Sequence, residues 1–260
     1  MEISVKRDGL TLYGVLHTPK NKDKFDLLIL FEGLRGDHTH ATVSGIAKEV
    51  EKKGFATLNF DFESRGKSEG TFANMTLLGQ LLDAVAALNY ARKVPGVNKI
   101  YVMGHSSGGL VAALLAGYYP DLISGLVLVS PALTAVDDAK RGNIFGVKFD
   151  PKNVPDYVKL PTSNKVSNIT YDEDFDFNGF YIRQLQSLPM YQIGGRFQGP
   201  VLLLHAEKDE EVNYYASYWF RALYRNSTLH FIKGATHGFK EPGVADEAGK
   251  LTAKFMIEHK

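Results

Sequence analysis

Two kinds of hydrophobic pattern alternate along the chain. Short runs rich in Val, Ile, Leu and Phe are separated by stretches in which apolar residues recur every three or four positions. The first pattern favours buried strands and the second favours amphipathic helices. Because the two alternate, the chain is predicted to form an α/β fold with a mostly parallel sheet flanked by helices. The expected parallel strands are Leu27–Phe31, Ala56–Phe62, Lys99–Met103, Gly125–Val129 and Val201–His205.

The two ends of the chain complete this order. Ile3–Lys6 and Leu12–His17 alternate in polarity and are joined through Asp8-Gly9, which predicts an antiparallel hairpin at the sheet edge. Two helices are expected at Ala41–Lys53 and Leu77–Arg92, and Gly54 and Pro95 terminate them. A last strand at Thr228–Ile232 and a last helix at Ala245–Ile257 follow.

One stretch lacks this regularity. Between Thr134 and Ser187 the periodicity fades, and prolines, acidic residues and aromatic residues replace it. Such a segment inside a compact domain is typical of a lid or binding insertion, and its aromatic content argues against a disordered linker. We therefore expect an α/β core over 1–133 and 188–260, with a lid over 134–187 between the sixth strand and the following helix.

Composition narrows the classes of ligand. The chain has 30 Lys and Arg against 29 Asp and Glu, so its net charge of +1 provides no field for nucleic acid or an anionic membrane. The absence of cysteine excludes disulfides, thiolate metal sites and a thiol nucleophile. No apolar run approaches the roughly 18 residues of a membrane span. We expect a small-molecule ligand and a cytoplasmic location, and a homodimer is left open.

A G-x-S-x-G motif carries the candidate chemistry. Gly104-His105-Ser106-Ser107-Gly108 lies between a predicted strand and the helix-forming run LVAALLAG. In this context the serine stands on a sharp turn, exposed at the carboxyl end of the strand, with helix N–H groups beside it. Ser106 is therefore the predicted nucleophile, and the N–H of Ser107 is the first oxyanion-hole donor.

A serine nucleophile needs a histidine base and a carboxylate to orient that histidine. In α/β folds with this serine motif, the three residues follow the chain order Ser, acid, His. His237 follows the last strand and fits that order, whereas the other seven histidines precede Ser106, lie within strands or occupy the terminal tail. Asp209 is the preferred acid because it lies in the loop after Val201–His205. Chain order does not separate it from Glu207, Glu210 and Glu211.

The second oxyanion donor is expected from the loop after Leu27–Phe31, at the N–H of Leu34. This chemistry requires neither a cofactor nor a metal. Gly66-Lys67-Ser68 matches the end of a phosphate-binding P-loop, but Asp61 stands where that motif requires glycine.

The chain resembles bacterial cinnamoyl and feruloyl esterases of the α/β-hydrolase fold over nearly its whole length. The resemblance is carried by DFESRGKSEGTFANMT, IYVMGHSSGGLVAALLAGYYPDLI, NGFYIRQLQSLPMY, NSTLHFIKGATHGF and the Gly142–Asp150 region. It implies Asp209 as the acid and a substrate class of hydroxycinnamic acid esters, bound beneath a small lid. It also implies that Asp138 and Tyr181 recognise the phenolic hydroxyl.

Several positions depart from the family pattern. Glu32-Gly33 stands where the family often has His-Gly, and Ser107 replaces a glutamine. Ser64-Arg65-Gly66 replaces Gly-His-Gly, and Phe145 occupies a substrate-facing lid position where relatives can have glutamine. We expect Glu32 and Arg65 to form an ion pair beside the active site.

Two alternative functions use the same residues differently. A general short-chain acyl esterase or monoacylglycerol lipase would use the same triad. A non-catalytic ligand-binding protein could retain the fold without the activity.

Overall fold

A computed structural model describes residues 1–20, 22–160 and 175–260 of the protein. An eight-stranded sheet lies at its centre, in the order β1-β2-β4-β3-β5-β6-β11-β12. The β1/β2 and β2/β4 pairs are antiparallel, and every other neighbouring pair is parallel. The strands are β1 (Glu2–Arg7), β2 (Leu10–His17), β3 (Phe25–Phe31), β4 (Ala56–Phe60), β5 (Val97–His105), β6 (Gly125–Val129), β11 (Val201–Ala206) and β12 (Ser227–Ile232).

Hydrophobic layers cover both faces of this sheet because alternate strand residues point to opposite sides. In β3, Leu27, Ile29 and Phe31 belong to one buried cluster, and Leu28 and Leu30 belong to the other. Two helices cover the second cluster, α1 (Ala41–Glu51) and α8 (Val244–Glu258). The first cluster lies under α2 (Leu77–Ala91) and α3 (Ser107–Tyr118).

The region between β6 and β11 contains several short elements. Its two small antiparallel sheets pair β7 with β8 and β9 with β10. Their buried residues, including Ile144, Val158 and Phe177, belong to the same cluster as the core residues under α2 and α3. The elements are α4 (Ala135–Lys140), β7 (Asn143–Ile144), β8 (Val147–Lys148), β9 (Tyr157–Leu160), β10 (Phe175–Asn178), α5 (Gly179–Ser187) and α6 (Met190–Gly194).

The predicted α/β architecture is confirmed, including the edge hairpin, whose Asp8 and Gly9 both have positive φ. The predicted strand Ala56–Phe62 is too long, because the pairing of β4 with β2 and β3 ends at Phe60. Beyond it, the Asp61 side chain accepts the His38 N–H. Helix α7 (Ala216–Leu223) was not predicted. Part of the predicted lid, 161–174, lies outside the described residues. None of the helices in the described ranges has the length and apolar character of a membrane span.

Candidate active site

Ser106 occupies a sharp turn between β5 and α3. Its φ of 55° and ψ of −121° are a strained conformation for a residue with a side chain. Two glycines make the turn sterically allowed. A Cβ on Gly104 would lie 2.1 Å from the Gly108 carbonyl oxygen, and a Cβ on Gly108 would lie 2.2 Å from that of Glu32. The spacing G-x-S-x-G therefore reflects close backbone packing on both sides of the serine.

Three loop ends bring together a serine, an imidazole and a carboxylate. Ser106 Oγ lies 2.9 Å from Nε2 of His237, which comes from the loop after β12. His237 Nδ1 lies 2.9 and 3.0 Å from the two carboxylate oxygens of Asp209, which follows β11. If Nδ1 carries the ring proton and donates a hydrogen bond to Asp209, Nε2 is free to accept the Ser106 hydroxyl proton. This arrangement suits nucleophilic attack by Ser106 on a carbonyl carbon.

Burial and hydrogen bonding act in opposite directions on these groups. Burial would raise the pKa of Asp209, but hydrogen bonds from His205 and His237 hold it well below its usual range. Burial disfavours protonated His237, yet the hydrogen bond and charge of Asp209 raise the pKa of the imidazole above its ordinary value. The carboxylate therefore remains charged and stabilises the imidazolium that would form during reaction.

The three neighbouring glutamates contact the histidine loop at other atoms. Glu207 accepts the Gly234 N–H at 2.8 Å, and Glu210 accepts the His237 N–H at 3.1 Å. Glu211 lies 3.7 Å from His237 Nε2, on the side that faces Ser106. Among the described contacts, Nδ1 is approached by Asp209, which places Asp209 in the geometry of the orienting acid.

Two further histidines contact these three residues, although neither was predicted to belong to the site. His205 Nε2 lies 3.3 Å from Asp209 Oδ2, and its Nδ1 lies 2.5 Å from Ser217 Oγ. His105 is buried, and its Nε2 lies 2.9 Å from the carbonyl oxygen of His237. Burial lowers the pKa of His105 well below its ordinary value, so the ring is neutral and donates to that carbonyl. The sequence signal that could have identified both residues is their position at or just beyond the carboxyl end of a predicted strand.

Leu34 and Ser107 are the two predicted backbone donors for an oxyanion. Gly33 lies so close that a Cβ there would be 3.1 Å from Ser106 Cβ. The N–H groups of Leu34 and Ser107 take part in none of the hydrogen bonds within the described parts of the chain. They therefore remain available to a reacting oxygen. In those same parts, no group of three or more His, Asp or Glu residues is arranged to hold a metal ion.

The three residues expected to bind substrate are not joined by a common contact. The Asp138 carboxylate lies 3.1 Å from Arg141 and is partly exposed. The hydroxyl of buried Tyr181 donates to Gln80 Oε1 at 2.9 Å. Phe145 packs edge-on against Phe177, which in turn contacts Tyr181.

The expected ion pair between Glu32 and Arg65 is wrong. The Arg65 guanidinium lies 4.3 Å from the centre of the Phe72 ring, and Glu32 Oε1 accepts the Phe62 N–H at 3.0 Å. Among the described residues, no contact within 4.0 Å pairs the two charged groups. Burial and the charge of Asp61 raise the pKa of Glu32 well above its ordinary value, which opposes the charged state that an ion pair requires.

Comparison with known proteins connects this geometry to hydrolases. Residues 23–174 match the family model described as serine aminopeptidase, S33. A structure of Est1E from Butyrivibrio proteoclasticus with ferulic acid bound is 32% identical to this chain, with a TM-score of 0.91. The match covers 99% of this chain and 98% of that one. A second Est1E structure is 30% identical over the same shares, with a TM-score of 0.86.

A curated relative is similar over a shorter region. A protein of Mycoplasma genitalium described as esterase/lipase 2 is 29% identical over 143 residues, which is 55% of this chain and 52% of that protein. The matched region therefore spans about half the length of this relative.

Proposed function

The chain belongs to the family described as serine aminopeptidase, S33, and from that premise we propose that it is a serine carboxylesterase acting on esters of hydroxycinnamic acids. One observation carries the proposal: Asp209, His237 and Ser106 form a continuous series of hydrogen-bond contacts at the carboxyl edge of the sheet. The substrate class is supported by similarity along nearly the full length to Est1E, a protein whose structure contains ferulic acid.

The acylation half-reaction follows from the geometry. Ser106 Oγ attacks the ester carbonyl carbon while His237 Nε2 takes the hydroxyl proton, and the carbonyl oxygen becomes an oxyanion beside Leu34 and Ser107 N–H. The C–O bond to the alcohol then breaks, and His237 returns its proton to the departing alkoxide. An acyl group remains on Ser106.

Deacylation uses the same groups with water. His237 removes a proton from a water molecule while the water oxygen attacks the acyl carbon. The bond to Ser106 Oγ breaks, His237 protonates that oxygen, and the carboxylic acid leaves. Asp209 stays ionised throughout because its pKa is held low.

Recognition of the phenolic hydroxyl is assigned to the lid side of the site. Tyr181 and Gln80 already form a hydrogen bond, so a substrate hydroxyl would join this pair as a third member. Asp138 would have to exchange its exposed contact with Arg141 for the substrate. Phe145, packed edge-on against Phe177, would provide an apolar wall for the aromatic acid.

A second candidate function is a general acyl esterase or lipase. The similarity to a Mycoplasma genitalium protein described as an esterase/lipase favours it. Ser106, His237 and Asp209 would catalyse this reaction as well. The two candidate functions therefore differ in the acyl groups that the enzyme prefers.

A matched pair of methyl esters separates these functions. For methyl ferulate and methyl butyrate the alcohol is the same, so kcat/KM compares the acyl groups alone. We expect methyl ferulate to exceed methyl butyrate by at least about tenfold, which corresponds to one favourable pocket contact. The reverse order would support the general esterase, and turnover of an amino acid anilide alone would instead support peptidase activity.

Labelling with a fluorophosphonate tests the nucleophile independently of substrate. The wild type should be labelled, and Ser106→Ala should not. Equal labelling of both proteins, or none of either, would support the non-catalytic alternative.

A further inference from the structure

Glu32 is a buried carboxyl group directly beside the proposed oxyanion loop. It follows the last residue of β3 and is fully inaccessible to solvent. Its Oε1 accepts the N–H of Phe62, just beyond β4, at 3.0 Å, whereas Oε2 has no hydrogen-bond partner. This hydrogen bond gives a buried acceptor its partner and links the ends of the neighbouring strands β3 and β4.

The backbone around Glu32 fits closely against the nucleophile turn. A Cβ on Gly108 would lie 2.2 Å from the Glu32 carbonyl oxygen, and a Cβ on Gly33 would lie 3.1 Å from Ser106 Cβ. On the other side, a Cβ on Gly36 would lie 3.1 Å from Glu32 Cβ. The segment that carries the Leu34 N–H is therefore packed between the serine turn and the Glu32 side chain.

We propose that Glu32 is a positioning residue for the loop that supplies the oxyanion donor. By holding the Phe62 N–H it fixes the loop of residues 32–34 and so places the Leu34 N–H for the oxyanion. This inference rests on the proposed function, because it concerns the oxyanion of the same reaction. Glu32 acts through Leu34 and does not itself touch the substrate.

The charges around Glu32 favour the neutral form. Burial raises the pKa of Glu32 well above its usual range, and the nearby Asp61 carboxylate raises it further. The hydrogen bond from Phe62 and the charge of Arg65 act in the opposite direction. His38 is hydrogen-bonded to Asp61, and its pKa is raised by that contact. Ionised Glu32 would introduce a second buried negative charge beside Asp61, which would disturb the loop.

Two substitutions at this position separate positioning from packing. Glu32→Gln keeps an oxygen acceptor for Phe62 and cannot ionise, whereas Glu32→Leu fills similar space without an acceptor. We would measure kcat and KM for phenyl acetate, and the rate of fluorophosphonate labelling, from pH 6 to pH 10. A simple ester makes the result independent of cinnamate preference.

The wild type should lose kcat at high pH as Glu32 ionises, and Glu32→Gln should keep its near-neutral kcat with this alkaline loss removed. Glu32→Leu should lower kcat at least about tenfold with little change in KM, as expected for a weakened oxyanion donor. Asp26→Asn is the matched control, since Asp26 lies at the opposite end of β3 and also accepts a backbone N–H, from Lys99. It should leave the pH profile unchanged.

Equal kcat values for the Leu and Gln variants would overturn the proposal, as would an unchanged alkaline loss in Glu32→Gln. If Glu32→Leu fails to fold, the pH profile of Glu32→Gln alone decides. A wild type that neither turns over ester nor becomes labelled would refute the proposed function and this inference together. An active wild type with unaffected variants would refute this inference alone.

Discussion

At the scale of single residues, the Asp209 carboxylate has further partners besides His237. Its carboxylate accepts N–H groups of Glu211 and Val212 at 3.0 and 2.8 Å, and His205 approaches at 3.3 Å. Burial would raise the pKa of this carboxyl group, but the hydrogen bonds from His205, His237 and Val212 keep it low. Asp209 is therefore ionised at any pH at which His237 can act as a base.

Replacing this charge should change the pH profile as well as the rate. Asp209→Asn removes the contact that raises the pKa of His237, so the imidazole should lose its proton at lower pH. Because the base must be neutral, the acidic limb of kcat/KM should move to lower pH, with kcat reduced by about 10³–10⁴. The measurement is kcat/KM for phenyl acetate from pH 4 to pH 9. Glu207→Gln, a neighbouring loop carboxylate that contacts Gly234, is the control. An acidic limb that stays in place would show that Asp209 does not set the His237 pKa.

At the scale of elements, the start of α3 packs closely against the backbone of the proposed oxyanion loop. Gly108 and Gly117 lie in the first and last turns of the same helix, and both are too close to backbone oxygens for a Cβ. The first faces Glu32 at 2.2 Å, and the second faces Ile193 at 2.1 Å. Similar crowding at the two ends allows the effects on stability and catalysis to be separated.

Gly108→Ala should therefore lower both the melting temperature and kcat, because it moves the nucleophile turn away from the loop. Gly117→Ala should lower the melting temperature alone. Overpacking of this kind typically costs about 1–3 kcal/mol. Thermal unfolding and kcat, measured for both variants, make the comparison. Equal losses of kcat would mean that the effect of Gly108 is general destabilisation.

At the scale of the whole molecule, one buried charge network ties the edge hairpin to the core. Arg7 at the end of β1 contacts Glu63 at 2.7 Å and Asp83 of α2 at 2.6 Å. The backbone N–H of Glu63 also donates to Asp83 at 2.9 Å. Burial raises the pKa of Asp83 to about 6, although Arg7 opposes this rise.

Removing Arg7 should destabilise the protein in a pH-dependent way. A raised native pKa means that the folded protein binds the Asp83 proton more tightly than the unfolded chain does, so stability falls as pH rises through that pKa. Without Arg7 the pKa should rise further. Arg7→Met should then cost about 3–5 kcal/mol at pH 8 and less at pH 5. Urea unfolding at both pH values measures the loss of stability.

Lys254→Met, which removes an exposed pair with Glu258, is the control and should have little effect at either pH. Equal losses for Arg7→Met at pH 5 and pH 8 would contradict the argument.

Local patterns in the amino-acid sequence determined much of this protein. Strand and helix positions follow from hydrophobic period, because period reports which side of an element is buried. The β6 range Gly125–Val129 was predicted to the residue. Ser106 and His237, which the structure places in contact, were predicted from a motif and from chain order, since the turn around the serine depends on glycines nearby in sequence. Short elements such as α4, β7 and α7 were missed because few residues carry their pattern.

Tertiary structure decided which polar groups meet. Four acidic residues in the loop after β11 have similar sequence signals, and the fold brings Asp209 to His237 Nδ1. It also places His205 against Asp209, His105 against the His237 carbonyl, and Glu32 against Phe62 rather than Arg65. Apart from His205 and Asp209, which are close in sequence, these contacts join residues distant along the chain. Their energies depend on burial and on the direction of individual donors, which a one-dimensional pattern does not contain.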